Sequence, residues 1–291
     1  MAPMTSSLAP SIVTHRDPKG LKFVSIVEAA YNGARLSEEE AQRVNDASGL
    51  GDLIGTFIAN NRSNDRFVNE EVRSSYTYPG EFKGPKPILE QIQSLASILG
   101  LDPTAALQHA HILPMLDTFV PAEALPYVGW YAVSRDVALA DILGKLAESR
   151  RFCNWCCESQ MDNFRTHERT ARFMAEIAKS QGNSDIYVIA AQLGMRHRGC
   201  SVRRARERFA GNEFGLTPEQ GGAITLTHPE RFVCREQLHM DLPGGEFDDR
   251  GSGVRFGHAS VLDFYGDWVR FGMASVGVVS DQYGSASAFL P

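Results

Sequence analysis

The chain has 291 residues, 43% of them hydrophobic and 22% charged. That is enough material to bury a core, and the balance excludes a chain disordered throughout. A formal net charge of -6 argues against a protein whose main task is coating nucleic acid, while leaving room for a local basic patch.

No apolar run approaches the roughly 20 residues of a bilayer-spanning helix. The opening MAPMTSSLAPSIVTHRDPKG lacks the basic-then-apolar order of a secretory signal. Five cysteines, three of them crowded at Cys153, Cys156 and Cys157, do not read as a secreted disulfide framework. The expectation is a soluble protein of the cytoplasm, without a membrane partner and without a cofactor.

Residues 1–20, rich in Pro, Ser and Thr, read as a loose tail. Helical signals dominate 21–180. Ser37 and Glu40 form a capping box ahead of EEEAQRVNDA. Asp102-Pro103 starts a helix through TAALQHAHIL. Across 137–152 an apolar stripe is expected at Val137, Ala140, Leu143 and Leu146. A helix from about Thr166 to Ser180 shows Phe173, Ile177 and Ala178 to the core, and Tyr76 to Pro87 reads as loop.

The character changes near Gly182. IYVIAAQLG (186–194) reads as a buried strand. Ser201 caps a helix whose Val202, Ala205 and Phe209 share a face, and Thr217, Pro218 and Gln220 open another. Gly266-Asp267, between Phe264 and the pair Val269 and Phe271, predicts a hairpin of twisted antiparallel strands. Helices first and strands last make the fold class α+β.

Three constellations carry chemistry. Cys153 and Cys156 have the spacing of a zinc half-site, but a closed site needs two more ligands, and the bland alternative is a pair of buried reduced thiols. Arg203, Arg204, Arg206 and Arg208 form a basic helix suited to phosphates or an acidic partner; the alternative is an amphipathic helix whose arginines meet carboxylates of the same chain. Asp241, Glu246, Asp248 and Asp249 lack the spacing of an EF-hand loop and read as a solvated turn. No GxSxG, HExxH or GxxxxGK[ST] motif is present.

The segments IAAQLGMRHRGCSVRRARERFAGNEFGL, LTHPERF and the closing RFGH…FYGDWVRFG…YGSASAFLP resemble the variable proteins of diversity-generating retroelements over residues 180–291. In that family a C-type-lectin-like domain, often of the formylglycine-generating-enzyme subtype, ends in strands and loops rewritten by adenine-directed mutagenesis. The resemblance implies a helical region over 21–180, a C-type-lectin-like domain over 181–291 and a variable segment at 255–291. It implies no catalysis: the enzymes sharing the fold act through cysteines, and Cys200 and Cys234 lie far from the terminal segment. No EPN or WND triplet is present, so calcium-dependent sugar binding does not carry over.

Mutated adenines in an Asn-type codon reach Tyr, Asp, Ser, Val and Arg but not Trp, Met or Gln. Under the resemblance the ligand contacts are therefore Asp263, Tyr265, Asp267, Arg270, Ser275, Val276, Val278, Ser280, Asp281 and Tyr283. Trp268, Phe271 and Phe289 support them, Met273 and Gln282 are unselected, and Gly284 to Pro291 is fixed. The implied ligand is a protein surface. The rival functions are nucleic-acid binding through the arginine helix and a zinc-dependent enzyme at Cys153 and Cys156.

Overall fold

In a computed structural model, residues 14–60, 65–110, 125–130, 135–156, 162–182, 184, 186–251 and 253–290 are described. They fall into two compact units that divide at residue 60. In the first unit, α1 (Pro18–Gly33) begins with a proline, whose fixed φ suits a first helical turn. α2 (Glu38–Asp46) carries the expected capping box: the Ser37 amide donates to the Glu40 carboxylate at 2.8 Å, and the Glu40 amide donates back to Ser37 Oγ at 3.4 Å. α3 (Leu50–Asn60) follows, and Phe23 and Phe57 face each other with ring centroids 6.4 Å apart. Thirteen residues of the expected tail lie outside the described residues, residues 14–17 form the turn ahead of α1, and 18–20 are its first residues.

The second unit contains six helices among the described residues: α4 (Ile88–Leu99), α5 (Thr104–His109), α6 (Arg135–Ser149), α7 (Glu168–Ser180), α8 (Val202–Arg208) and α9 (Pro218–Thr227). Its strands are β1 (Leu125–Trp130), β2 (Phe152–Asn154), β3 (Phe164–Thr166), β4 (Ile186–Gln192), β5 (Glu213–Gly215), β6 (His239–Phe247), β7 (His258–Tyr265), β8 (Trp268–Ser275), β9 (Tyr283–Ser285) and β10 (Ser287–Phe289). A four-stranded antiparallel sheet runs β1-β4-β10-β5. A six-stranded mixed sheet runs β2-β8-β7-β6-β3, with β9 parallel to the first half of β6. The fold is α+β.

Several expectations hold. All seven residues of β4 are buried, as its unbroken apolar run requires. α8 is capped by Ser201, whose Oγ accepts the Arg204 amide, and buries Val202, Ala205 and the adjoining Phe209. α9 opens on the Thr217–Gln220 capping box. Gly266 and Asp267, at φ 58° and 66°, make a two-residue turn that joins β7 to β8 in register, with Tyr265 opposite Trp268. The α5 helix does start after Asp102-Pro103, and its expected continuation beyond Ala110 lies outside the described residues.

Other expectations need correction. The α6 stripe is Leu139, Ile142, Leu143 and Leu146, with Ala140 exposed and the Val137 side chain outside the described residues. The helix uses i, i+3, i+4, i+7 positions, which follow the 3.6-residue turn better than repeated steps of three. α7 begins at Glu168, where the preceding His167 accepts the Arg169 amide on Nδ1; burial, then Arg206, holds that imidazole at a pKa of about 4, neutral and able to accept. The residues 61–180 are not a helical body apart from 181–291. β1 pairs with β4, β2 with β8, and β3 with β6. Two of those strands have three residues each, too short to show alternation.

The core lies around α9. All ten of its residues are buried, although it is neither strongly amphipathic nor rich in large apolar side chains. Its Gly221 and Gly222 explain the close packing: a Cβ at either would come within 2.4 Å of Leu242 or Ile142. The closing segment then locks the two sheets together. β9 belongs to the six-stranded sheet and β10 to the four-stranded one, with only Ala286 between them. The Ala286 amide donates to the Asp241 carbonyl, and its own carbonyl accepts the Leu216 amide.

Candidate functional site

One row of polar side chains crosses the six-stranded sheet in register. Cys153 on β2 stands beside Arg270 on β8, and Arg270 is paired with Asp263 on β7. His239, preceding the Met240–Leu262 pair, comes beside Asp263, and β9 sets Tyr283 next to His239. Period-two alternation puts these residues on one face, while Met240, Leu262, Val269 and Phe271 fill the core behind them.

The row is a closed network. Arg270 grips Asp263 with two bonds, Nε to Oδ1 at 2.6 Å and Nη2 to Oδ2 at 2.8 Å, and Tyr283 Oη donates to Oδ2 at 2.8 Å. That hydrogen bond from Arg270 raises the guanidinium pKa further. Burial, then the Asp263 charge, pushes the Tyr283 phenol well above its usual value, so it stays a donor. His239 accepts the Phe264 amide on Nδ1 at 3.1 Å, which leaves Nε2 to donate to the Arg235 carbonyl at 3.2 Å. Desolvation lowers its pKa and keeps it neutral. Both oxygens of Asp263 and both nitrogens of His239 are therefore occupied, which leaves neither poised as a general base.

Above this network stands an aromatic and cationic stack. The Arg270 guanidinium lies 4.8 Å from the Tyr265 ring centroid and 5.8 Å from that of Trp155, and Arg235 lies 4.6 Å from Tyr265. Trp155 is 64% exposed, Tyr265 48% and Trp268 43%. Large aromatics held open to solvent on rigid strands bring contact area at little entropic cost.

The ten expected contacts do not form one surface. Asp263 is buried at 5%, and Arg270 and Tyr283 are half-buried partners in its network, so these three are engaged within the protein. Tyr265 and Asp267 sit exposed at the hairpin tip. Ser275 ends β8, whose eight residues span roughly 23 Å, and Val276, Val278, Ser280 and Asp281 lie beyond it. Of these, Ser275, Val278 and Asp281 are exposed. Val276 is held by two backbone bonds, accepting the Arg203 amide and donating to Gly257. Ser280 accepts the Gln282 amide. Phe271 and Phe289 are buried supports, but Trp268, expected beside them, belongs to the exposed platform: its neighbours Val269 and Phe271 take the core-facing positions. Trp155, Arg235 and His239 were not among the residues picked from sequence, because nothing in the chain order announces the β2–β8 parallel pairing or the β6 register.

The basic helix is engaged by the protein itself. Arg203 pairs with Glu70, whose carboxyl it holds below the usual pKa. Arg204 pairs with Glu71 and Glu207, and Arg208 with Glu71. Arg206 donates to the Pro243 and Gly245 carbonyls at 2.7 and 3.2 Å, and burial lowers its pKa to about 10.

Cys153 is half-buried, Cys156 is buried against Met273, and Cys157 lies outside the described residues. Among the described residues no three His, Cys, Asp or Glu side chains are grouped to hold a metal ion. Half of the acidic stretch is not a solvated turn: Asp241 and Glu246 lie on β6, where Glu246 binds Arg165 at 2.7 Å, while Asp248 and Asp249 follow the strand ahead of a turn. Asp241 is wholly buried, and desolvation raises its pKa to about 7. Beside it in register is Ser285, whose Oγ is buried without a hydrogen-bond partner.

No family model, curated protein or solved structure matches the chain. Among the described residues, no helix is long and apolar enough to cross a membrane.

Proposed function

We propose that the protein is a non-catalytic binding protein that recognises a partner protein through the β7–β8 hairpin, as a variable protein of a diversity-generating retroelement does with its C-type-lectin-like domain. The observation that carries this is the exposed set of Trp155, Tyr265 and Arg235 stacked about the half-buried Arg270, with Trp268 beside it. Exposed aromatic and arginine side chains on a braced sheet are what protein interfaces use as anchors. The engagement of Asp263, His239 and Tyr283 in internal hydrogen bonds favours binding over acid–base chemistry.

Sequencing the DNA that flanks the gene tests this reading. The expected result is a reverse transcriptase and a near-copy of codons 255–291 that differs only at template adenines. The differing codons should fall on Tyr265, Asp267, Ser275, Val278 and Asp281, the exposed members of the set. Absence of the near-copy, or differences concentrated on Asp263, Arg270 and Tyr283, would overturn it.

A further inference from the structure

A second feature lies away from the hairpin tip and is independent of that reading. Gly194, at φ 109°, turns the chain out of β4 against the Gly284 backbone, where a Cβ would come within 2.7 Å of the carbonyl oxygen. The short 3-10 turn that follows, Met195–His197, presents Arg196, His197 and then Arg198 to a cavity of about 440 Å³ that Arg208 of α8 closes from another side. Three guanidinium groups and no carboxylate line it.

The cations differ in how fully they are matched. Arg208 is bonded to Glu71, and Arg196 approaches the buried Glu213 at 3.4 Å. Arg198 gives one hydrogen bond to the Tyr76 carbonyl at 3.2 Å and meets no carboxylate among the described residues. His197 is 2% exposed. Its Nε2 lies 2.6 Å from Glu213 Oε1; burial opposes the charge on Glu213, but hydrogen bonds from His197, Ser287 and the Ala210 amide outweigh it and keep the carboxyl ionised. An ionised carboxylate only accepts, so the Nε2 that faces it carries a proton. His197 Nδ1 is buried with no hydrogen-bond partner in the protein, which is costly unless something else supplies one.

We propose that this cavity binds a small phosphate ester that also carries a hydroxyl group. Arg198 and Arg208 hold the phosphate oxygens, because planar guanidinium forks match that geometry. A ligand hydroxyl, able both to donate and to accept, bonds to His197 Nδ1. The cavity is much larger than inorganic phosphate requires, given that a water molecule occupies ~30 Å³, so an ester with an organic portion fills it better than the free ion.

Isothermal titration calorimetry of the full chain in low salt tests the site, with glycerol 3-phosphate, inorganic phosphate and glycerol as probes. The expected result is saturable one-to-one binding of glycerol 3-phosphate, weaker binding of inorganic phosphate and none of glycerol. Arg198→Gln is the primary variant, since it gives up a bond to a single carbonyl. It should weaken glycerol 3-phosphate binding about tenfold, the scale of one charge-assisted hydrogen bond, with an unchanged melting temperature. Arg208→Gln should weaken it similarly and serves if the first variant does not fold. No saturable heat at millimolar glycerol 3-phosphate would overturn the site, as would unchanged affinity in a folded variant. Binding of inorganic phosphate as tight as that of the ester would overturn the ester assignment.

Discussion

Helices α3 and α9 have nearly the same length and opposite fates. α3, LGDLIGTFIAN, carries Leu50, Leu53, Phe57 and Ile58, every one of them at least 47% exposed. α9, PEQGGAITLT, has two glycines, three threonine or glutamine positions and only two large aliphatics, yet all ten residues are buried. The same contrast holds for their units. No described residue of 14–60 is buried, whereas residues 65–290 hold a continuous core. Apolar content tells what a helix can bury; its neighbours decide what it does bury. α9 is buried because α4, α6, β1, β6 and β7 surround it, and its glycines let Leu242 and Ile142 approach.

Three measurements break or sharpen that comparison. Phe271, 1% exposed behind the arginine row, should cost about 3–5 kcal/mol as Phe271→Ala, the usual range for emptying a phenylalanine site in a packed core. Chemical denaturation reads this directly, and a loss below about 1 kcal/mol would mean that Phe271 is not packed in a core.

The second effect depends on pH. Asp241 has a folded pKa of about 7 against an ordinary 3.8, so between those values the fold keeps a proton that the open chain has lost. Its contribution to stability is complete below about pH 4, declines from there to pH 7 and is flat above. Asp241→Asn should remove that decline and make the protein more stable at pH 8 by about 2–4 kcal/mol, each pKa unit being worth roughly 1.4 kcal/mol. Parallel pH profiles for the two proteins would refute the assignment.

The smallest effect belongs to the exposed helices. Phe57→Ala in α3 should change unfolding free energy by about 0.5 kcal/mol or less, as at most exposed positions. A loss above about 2 kcal/mol would show that something covers α3 in solution.

Signals in this sequence are legible where the physics is local. Capping boxes at Ser37–Glu40 and Thr217–Gln220, the Ser201 cap, the buried run at 186–192 and the Gly266-Asp267 turn all depend on side chains within a few residues of one another. The α+β class follows from them. The candidate site was half legible: Tyr265 and Arg270 could be singled out as aromatic and cationic residues beside a turn, but Trp155 lay within a cysteine cluster that suggested metal. Asp263, chosen for display, is instead clamped by Arg270 and Tyr283, and Trp268, chosen as support, faces solvent.

By itself the sequence determined the starts of α2, α8 and α9 and the turn of the hairpin, because capping and turn chemistry act over three or four residues. Only the tertiary structure decided that β2 lies parallel to β8, that β9 lies parallel to β6, and that the chain crosses between sheets at Ala286. Those pairings join residues more than forty positions apart through backbone hydrogen bonds that any sequence can make. They are selected by the packing of the whole core rather than by the residues that form them.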